Sequence, residues 1–407
     1  MKNDFSLVCS GCGAEYPFGT YSCPHKDGVL LAELDLPKNP SFDDLVDPSK
    51  PGIWGFHRVL PKVDEVVSLH EGRTPLIHSR TYGPELDLHL YIKDEGRNPT
   101  GSFKDRAGSV LLSTEKQLGH STNATATSGN AGGALALYSR LAGIRANIFM
   151  FHPSEAKFLH NCSYAPEVFL VDCEDESQIT RVTAEACKAF GWSWLTTMSE
   201  ANPFNVEGYK TIAYEIVREI GPPDAVITPM ASGTLALGIW KGMKELLEMN
   251  LVSRMPRIVA VQAEAVNPIA RAYENGSTRV QAVSGKTVAG GLCLDNPGVS
   301  GETALRFIRQ TNGAVVSVSE RQILEATHSL PVKEGVFAET SGASSLAGAV
   351  VARESGLLKS GESVVCINTA SGFKDLGAFK AQGSGPNIHH VSPDIDAVCE
   401  ALGTMKE

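Results

Sequence analysis

The sequence predicts an α/β protein: two open, mostly parallel sheets covered by helices, preceded by a small zinc-ribbon-like segment. Three observations lead there. From about residue 65 to 378, short β-branched apolar runs alternate with helical runs, the pattern of parallel strands joined by helical crossovers. The strand-like runs are numerous enough to suggest two such sheets. The start of the chain is poor in core-forming residues but carries closely spaced cysteines, as a segment folded around metal does.

That first segment reads "CSGCGAEYPFGTYSCPH". Cys9 and Cys12 form a C-x-x-C turn, and Cys23 and His25 follow after a hairpin-like insert. Three thiolates and an imidazole suit tetrahedral zinc, so these four are the expected ligands. The ribbon lacks interleaved basic residues, which argues against a nucleic-acid contact. Residues 36–60, rich in proline and aspartate, read as an irregular arm.

Strands are expected at "LHLYIKDE", "ANIFMF", "EVFLVDC", "WSWLTT", "AVITPM", "RIVAVQAE", "AVVSVS" and "SVVCIN". Helices are expected at "KDRAGSVLLSTEKQLG", "GALALYSRLAG", "ALGIWKGMKELLEMN" and "ASSLAGAVVARESG". The divisions that follow are a ribbon, 1–35; an arm and the first part of a large domain, 36–105; a smaller, mobile α/β domain, 106–215; the rest of the large domain, 216–378; and a tail, 379–407. A break at "AQGSGPN" precedes a last short helix at "SPDIDAVCEALG".

Composition narrows the function. The chain has 407 residues with a formal net charge of -10, which disfavours a nucleic-acid backbone or an anionic membrane as partner. No apolar run reaches spanning length, and "MKNDFSLVCSGCG" has no signal-peptide core, so a cytoplasmic location is expected. Nine cysteines, an odd count, do not suggest a disulfide scaffold.

Four segments open helices or end strands, where ligands of parallel sheets sit. In "NPTGSFKDR", residues 98–106, Pro99 and Gly101 make a turn and Ser102 is placed to cap a helix. Lys104 then falls in the first helical turn, where the helix dipole opposes its charge and favours the neutral amine. In "TSGNAGG", residues 127–133, Thr127, Ser128, Gly129 and Asn130 offer hydroxyls, an amide and backbone N–H groups to a carboxylate. In "PMASGTLALGIWKG", residues 229–242, Ala231, Ser232, Gly233, Thr234 and Leu235 form a cradle for a small phosphate ester. It is neither a dinucleotide fingerprint nor a Walker loop. In "INTASGFKD", Thr369 and Ser371 put hydroxyls at a sheet's carboxyl edge. An imine-forming lysine, a phosphate cup, an anion loop and a hydroxyl for a ring nitrogen together describe pyridoxal phosphate.

The chain resembles the threonine synthases of the tryptophan-synthase-β class, the fold type II pyridoxal-phosphate enzymes. "GIWGFHRVLP", "EGRTPL", "NPTGSFKDR", "NPFNVEGYKT" and "TASGFKD" carry the resemblance, which runs from the ribbon to about residue 378. It implies that Lys104 is the Schiff-base lysine and proton shuttle, that Phe103 flanks the cofactor ring, and that Asn130 meets its 3′-oxygen. Residues 231–235 would hold its phosphate and Thr369 its pyridine nitrogen. Thr127, Ser128, Gly129, Ala131, Ser102 and Tyr209 would face the substrate. The implied reaction is elimination and replacement on an activated amino acid, with O-phosphohomoserine and water giving threonine and phosphate, by a homodimer. The departures lie in the site: Ser128 and Ala131 stand where the family has threonines, Tyr209 where it has glutamine, "MASG" where it has Gly-Asn-Ala-Gly, and Ala370 and Ser371 where it has Gly-His. Thr127–Asn130 is more like the loop of cysteine synthases, so β-replacement or elimination on an O-activated serine- or homoserine-like substrate is the alternative. A catalytically silent binding homologue is a third reading, opposed by the retained Lys104.

Overall fold

A computed structural model describes residues 5–151, 153–173, 176–380 and 389–402. Both parallel sheets are present. The larger has six strands in the order β12-β11-β10-β13-β5-β4: β4 (Leu76–His78), β5 (His89–Asp94), β10 (Ala225–Pro229), β11 (Arg257–Ala263), β12 (Ala314–Val318) and β13 (Ser363–Asn368). Only the edge strand β4 runs antiparallel. The smaller is fully parallel, in the order β8-β7-β6-β9, with β6 (Thr122–Thr127), β7 (Arg145–Met150), β8 (Glu167–Leu170) and β9 (Ser193–Trp194). Val226, Ile227, Val259, Val261, Val364 and Val365 are fully buried, as central strands covered on both faces require.

A central strand of the small sheet was not expected. β6 is "TNATAT", which lacks the large apolar run that marks a buried strand. Asn123 is paired in part: its Nδ2 donates to Ser139 Oγ at 2.9 Å and its carbonyl accepts from Asn147 Nδ2 at 3.0 Å, while its Oδ1 has no partner. The arm at 36–60 contains a short helix, Phe42–Leu45, and a 3-10 segment, Gly52–Val59. Ile53, Trp54, Phe56 and Val59 of that segment join the main core. A helix does end the described chain, Ile395–Leu402, whereas the break expected at 381–387 lies outside the described residues.

The ribbon is an antiparallel sheet of β1 (Phe5–Cys9), β2 (Glu15–Tyr16) and β3 (Leu30–Leu34) in the order β2-β1-β3. The sulfurs of Cys9, Cys12 and Cys23 lie within 4.8 Å of one another. The fourth expected ligand, His25, lies apart from this group. Its side chain is exposed and its ring is not among the grouped ligand atoms; it contributes its backbone N–H to the Cys23 sulfur.

Candidate active site

The Lys104 turn is tied to the carboxyl end of β13. Phe103 N–H donates to the Thr369 carbonyl at 3.0 Å, and Ser371 N–H to the Gly101 carbonyl at 2.9 Å. Gly101 takes φ +77° there, a conformation that costs an L side chain strain. The helix Lys104–Gln117 follows, but Ser102 does not cap it: the N-cap is Phe103, without a side-chain bond. Ser102 is instead fully buried, its Oγ without a partner.

Lys104 Nζ sits 4.5 Å from the Phe103 ring centroid and 5.6 Å from that of Tyr209. Burial pushes its pKa down to about 8, with the Glu339 carboxylate pulling the other way. The lowered lysine agrees with the expectation, and desolvation by the surrounding protein is its leading cause.

Around Lys104 lies a cavity of about 170 Å³. Its wall includes Phe103, Thr127, Ser128, Asn130, Ala131, Ala231, Ser232, Gly233, Thr234, Leu235 and Thr369. Segments predicted separately, from two sheets, therefore meet at one place. The loop 127–131 is braced from within, because Thr127 Oγ1 accepts from Gly129 N–H at 2.9 Å and Gly132 N–H at 3.3 Å. At the other side, Ala231–Leu235 lead from β10 into the helix Thr234–Glu248, whose first N–H groups have no intrahelical acceptor.

Three expected residues lie behind this wall. Ser102 supports the turn. Gly129 is covered by Lys157, whose Cδ would sit 2.4 Å from a Cβ added there. Tyr209 is fully buried, its ring 4.8 Å from Phe103, and its hydroxyl has no partner. Tyr209 thus backs Phe103 and does not face the cavity.

Glu339 is the residue that sequence reasoning missed. It is 2% exposed, lines the cavity, accepts from Asn130 Nδ2 at 2.9 and 3.1 Å and pairs with Lys157 at 3.5 Å. It is the N-cap of the helix Thr340–Glu354, a small-residue helix opening like the other two in the site. Gly290–Leu294 and Thr196–Met198 complete the wall.

The residues present fit pyridoxal phosphate. The cup offers backbone N–H groups at a helix start. Its Gly233 holds φ +88°, and an added Cβ would come within 2.4 Å of Ala304 Cβ. Asn130 keeps a buried Oδ1 without a partner, and Lys104 brings an amine to the same cavity. Residues 67–370 match the family described as pyridoxal-phosphate dependent enzyme. The chain belongs to that family. Within it, it is 30% identical over 408 residues to the threonine synthase of Methanosarcina acetivorans, covering 98% of each chain. It is 31% identical over 379 residues to that of Methanocaldococcus jannaschii, covering 90% of this chain and 92% of the relative. The fold matches threonine deaminase isoform 2 from Solanum lycopersicum, with TM-score 0.64, 21% identity and coverage of 76% and 88%. It also matches the diaminopropionate ammonia lyase of Escherichia coli, with TM-score 0.66, 20% identity and coverage of 77% and 88%. The chain is a fold type II pyridoxal-phosphate dependent lyase of the threonine synthase-like kind.

Proposed function

We propose that the chain converts O-phosphohomoserine and water to threonine and phosphate. The observation that carries this reading is the convergence of Lys104, the loop 127–131, the cup 231–235 and Thr369 on one cavity, in a chain similar to threonine synthases over nearly its whole length.

Bound pyridoxal phosphate supplies an aldehyde for the substrate amine and a ring that withdraws electrons from the α carbon. The N–H groups of 231–235 would hold its phosphate, Asn130 would serve its 3′-oxygen, Phe103 would flank the ring and Thr369 would serve the ring nitrogen. Thr369 would offer that nitrogen a hydroxyl and not a charge, so this chain places no carboxylate there to hold a proton on it. Thr127, Ser128 and Ala131 sit at the start of the helix Asn130–Ala142 and receive the substrate carboxylate. Lys104 Nζ takes the α-proton. Its pKa of about 8 leaves an appreciable share of neutral amine at neutral pH. Beside it the Phe103 ring, backed by Tyr209, limits water.

We further assign the enzyme to the cytoplasm as a homodimer. No described helix is long and apolar enough to cross a membrane, and the exposed Val332 and Phe373 are apolar surface that a second subunit could cover. We retain the division into a large domain and a smaller mobile one at residues 106–215; the content of the small sheet, β6 to β9, supports it.

Ala131 favours a second reading. Its methyl faces the cavity where the resemblance places a hydroxyl, which suits β-replacement or elimination on an O-activated serine- or homoserine-like substrate. Incubation with O-phosphohomoserine decides between them. Threonine and phosphate released in equal amounts support the first reading; intact cofactor absorbance without threonine overturns it. Lys104→Ala should abolish both turnover and the imine absorbance band.

A further inference from the structure

We propose that Cys9, Cys12 and Cys23 bind one thiophilic divalent cation of the zinc class through three sulfurs, with solvent at the fourth position. The bound ion fastens the ribbon to the two helices that carry Lys104 and Tyr209.

The geometry of the sulfurs carries the first part. All three lie within 4.8 Å of one another, and Cys12 Sγ is 3.8 Å from Cys23 Sγ. A tetrahedron with metal–sulfur bonds of about 2.3 Å has edges of about 3.8 Å, whereas a disulfide needs its sulfurs about 2 Å apart. Backbone donors are already aimed at the sulfurs. Gly11 and Cys12 N–H point to Cys9, and His25 N–H points to Cys23. Such outer hydrogen bonds are what a thiolate bound to metal requires.

The sequence explains why there are three ligands. Cys12 stands three residues after Cys9, and Lys26 stands at the same distance after Cys23. Lys26 N–H closes on the Cys23 carbonyl at 3.0 Å, and the His25 side chain is exposed. Cys12 is exposed while Cys9 and Cys23 are buried, so the open position faces solvent on the Cys12 side.

The second part rests on what the ribbon touches. Phe5 and Phe18 pack edge-on with Phe204, at 6.3 and 5.7 Å, and Phe204 begins the helix Phe204–Ile220 that carries Tyr209. Tyr21 donates to Glu115 Oε1 at 2.5 Å, on the helix that Lys104 opens. Arg306 donates to the Ser10 carbonyl at 2.7 Å, beside Cys9. Metal binding releases the thiol protons and adds its binding free energy to folding.

The test uses the full, cofactor-loaded chain expressed with added zinc, desalted, and assayed for zinc per chain by mass spectrometry. Wild type and His25→Ala should each hold one zinc; Cys12→Ser should lose it while keeping its cofactor absorbance, which shows that it is folded. Cobalt(II)-exchanged wild type should show the sulfur charge-transfer and four-coordinate visible bands of a three-thiolate site. Stripping the metal with a chelator should lower Tm and open the ribbon to limited proteolysis. Metal-free wild type, loss of zinc in His25→Ala, or a Cys12–Cys23 disulfide in unreduced protein overturns the site. If Cys12→Ser fails to fold, the cobalt spectrum of wild type decides alone. Unchanged Tm and proteolysis after stripping overturn the fastening role.

Discussion

Asn130 donates through Nδ2 to both carboxylate oxygens of Glu339, at 2.9 and 3.1 Å, joining the small sheet's ligand loop to the large domain's helix. The same carboxylate pairs with Lys157 at 3.5 Å and works against burial at Lys104 and Lys374, whose pKa values still come down to about 8. Glu339 is therefore a buried counter-charge shared by an amide and several lysines, and it partly offsets the burial that lowers the Lys104 pKa.

Lys104 must be neutral to attack an aldehyde. Its pKa of about 8 predicts that the rate of covalent cofactor uptake by the apoprotein climbs as pH rises through that value and levels off above it. Stopped-flow absorbance across pH 6 to 10 measures this. A profile that climbs only near the ordinary lysine value of about 10.4 would contradict the burial of Lys104.

Glu339→Gln removes the anion that favours the Lys104 ammonium. The lysine pKa then falls further, and the uptake profile moves toward acid. Because the amide of Gln keeps an oxygen for Asn130, the loop position is retained. A shift toward alkaline pH, or none, would show that Glu339 does not act on Lys104 through charge.

Legibility followed sequence separation. The turn at Gly101, the cup around Gly233 and the loop around Gly129 announce themselves locally, because glycine and hydroxyl residues at helix starts are chemistry written in neighbouring letters. β10, β11 and β13 were equally plain, being β-branched runs. β6 was not, because alanine and polar residues alternate in it and no large apolar run marks it as a buried strand. Glu339 and Asn130 are 209 positions apart, and nothing local marks either as the other's partner. Ser102 looked like a cap and Tyr209 like a substrate contact, since position in a motif does not say which way a side chain points. Asp105 and Arg106 follow Lys104 as charged residues that nothing local marks as interior, yet both are fully buried.

Arg106 shows how that burial is sustained. Its guanidinium forks onto Glu95, with contacts of 2.7 and 2.8 Å, and onto Glu215, also at 2.7 and 2.8 Å. Arg106→Met would leave carboxylates buried without this partner and should cost about 3–5 kcal/mol. Arg106→Lys should recover little, because an ammonium cannot make two planar forks. Urea unfolding is the measurement: a lower midpoint at unchanged m supports the account, and a near-neutral Arg106→Lys would refute it.

Gly233 separates cofactor binding from general strain. Gly233→Ala puts an L residue at φ +88° and a Cβ 2.4 Å from Ala304 Cβ, at the cup. Cofactor affinity should fall about tenfold or more, equivalent to about 1.4 kcal/mol. Gly119→Ala, also at positive φ (+76°) but with nothing within 4 Å, should cost about 1 kcal/mol of stability and leave cofactor affinity unchanged. Fluorescence titration of both variants tests the contrast; equal losses of affinity would remove the cup from the site.

Asp105 gives a stability prediction whose sign can be worked through. Its Oδ2 accepts from Thr100 N–H at 3.0 Å and Thr100 Oγ1 at 2.9 Å, while Oδ1 has no partner. Burial pushes its pKa up to about 7, above the unfolded value of about 3.9. Below the unfolded value both states are protonated and the folded state pays nothing for charge. As pH rises from there toward 7, the unfolded chain ionises freely and the folded one does not, so stability is lost. Above 7 the full penalty, of order a few kcal/mol, is present and constant. Asp105→Asn keeps an oxygen for Thr100 and carries no charge at any pH. The variant should therefore gain on wild type between about pH 4 and 7 and hold that gain above it. Urea midpoints for both proteins at pH 5, 6, 7 and 8 test this, and a difference that does not grow with pH would mean that the buried carboxyl is ionised at no cost.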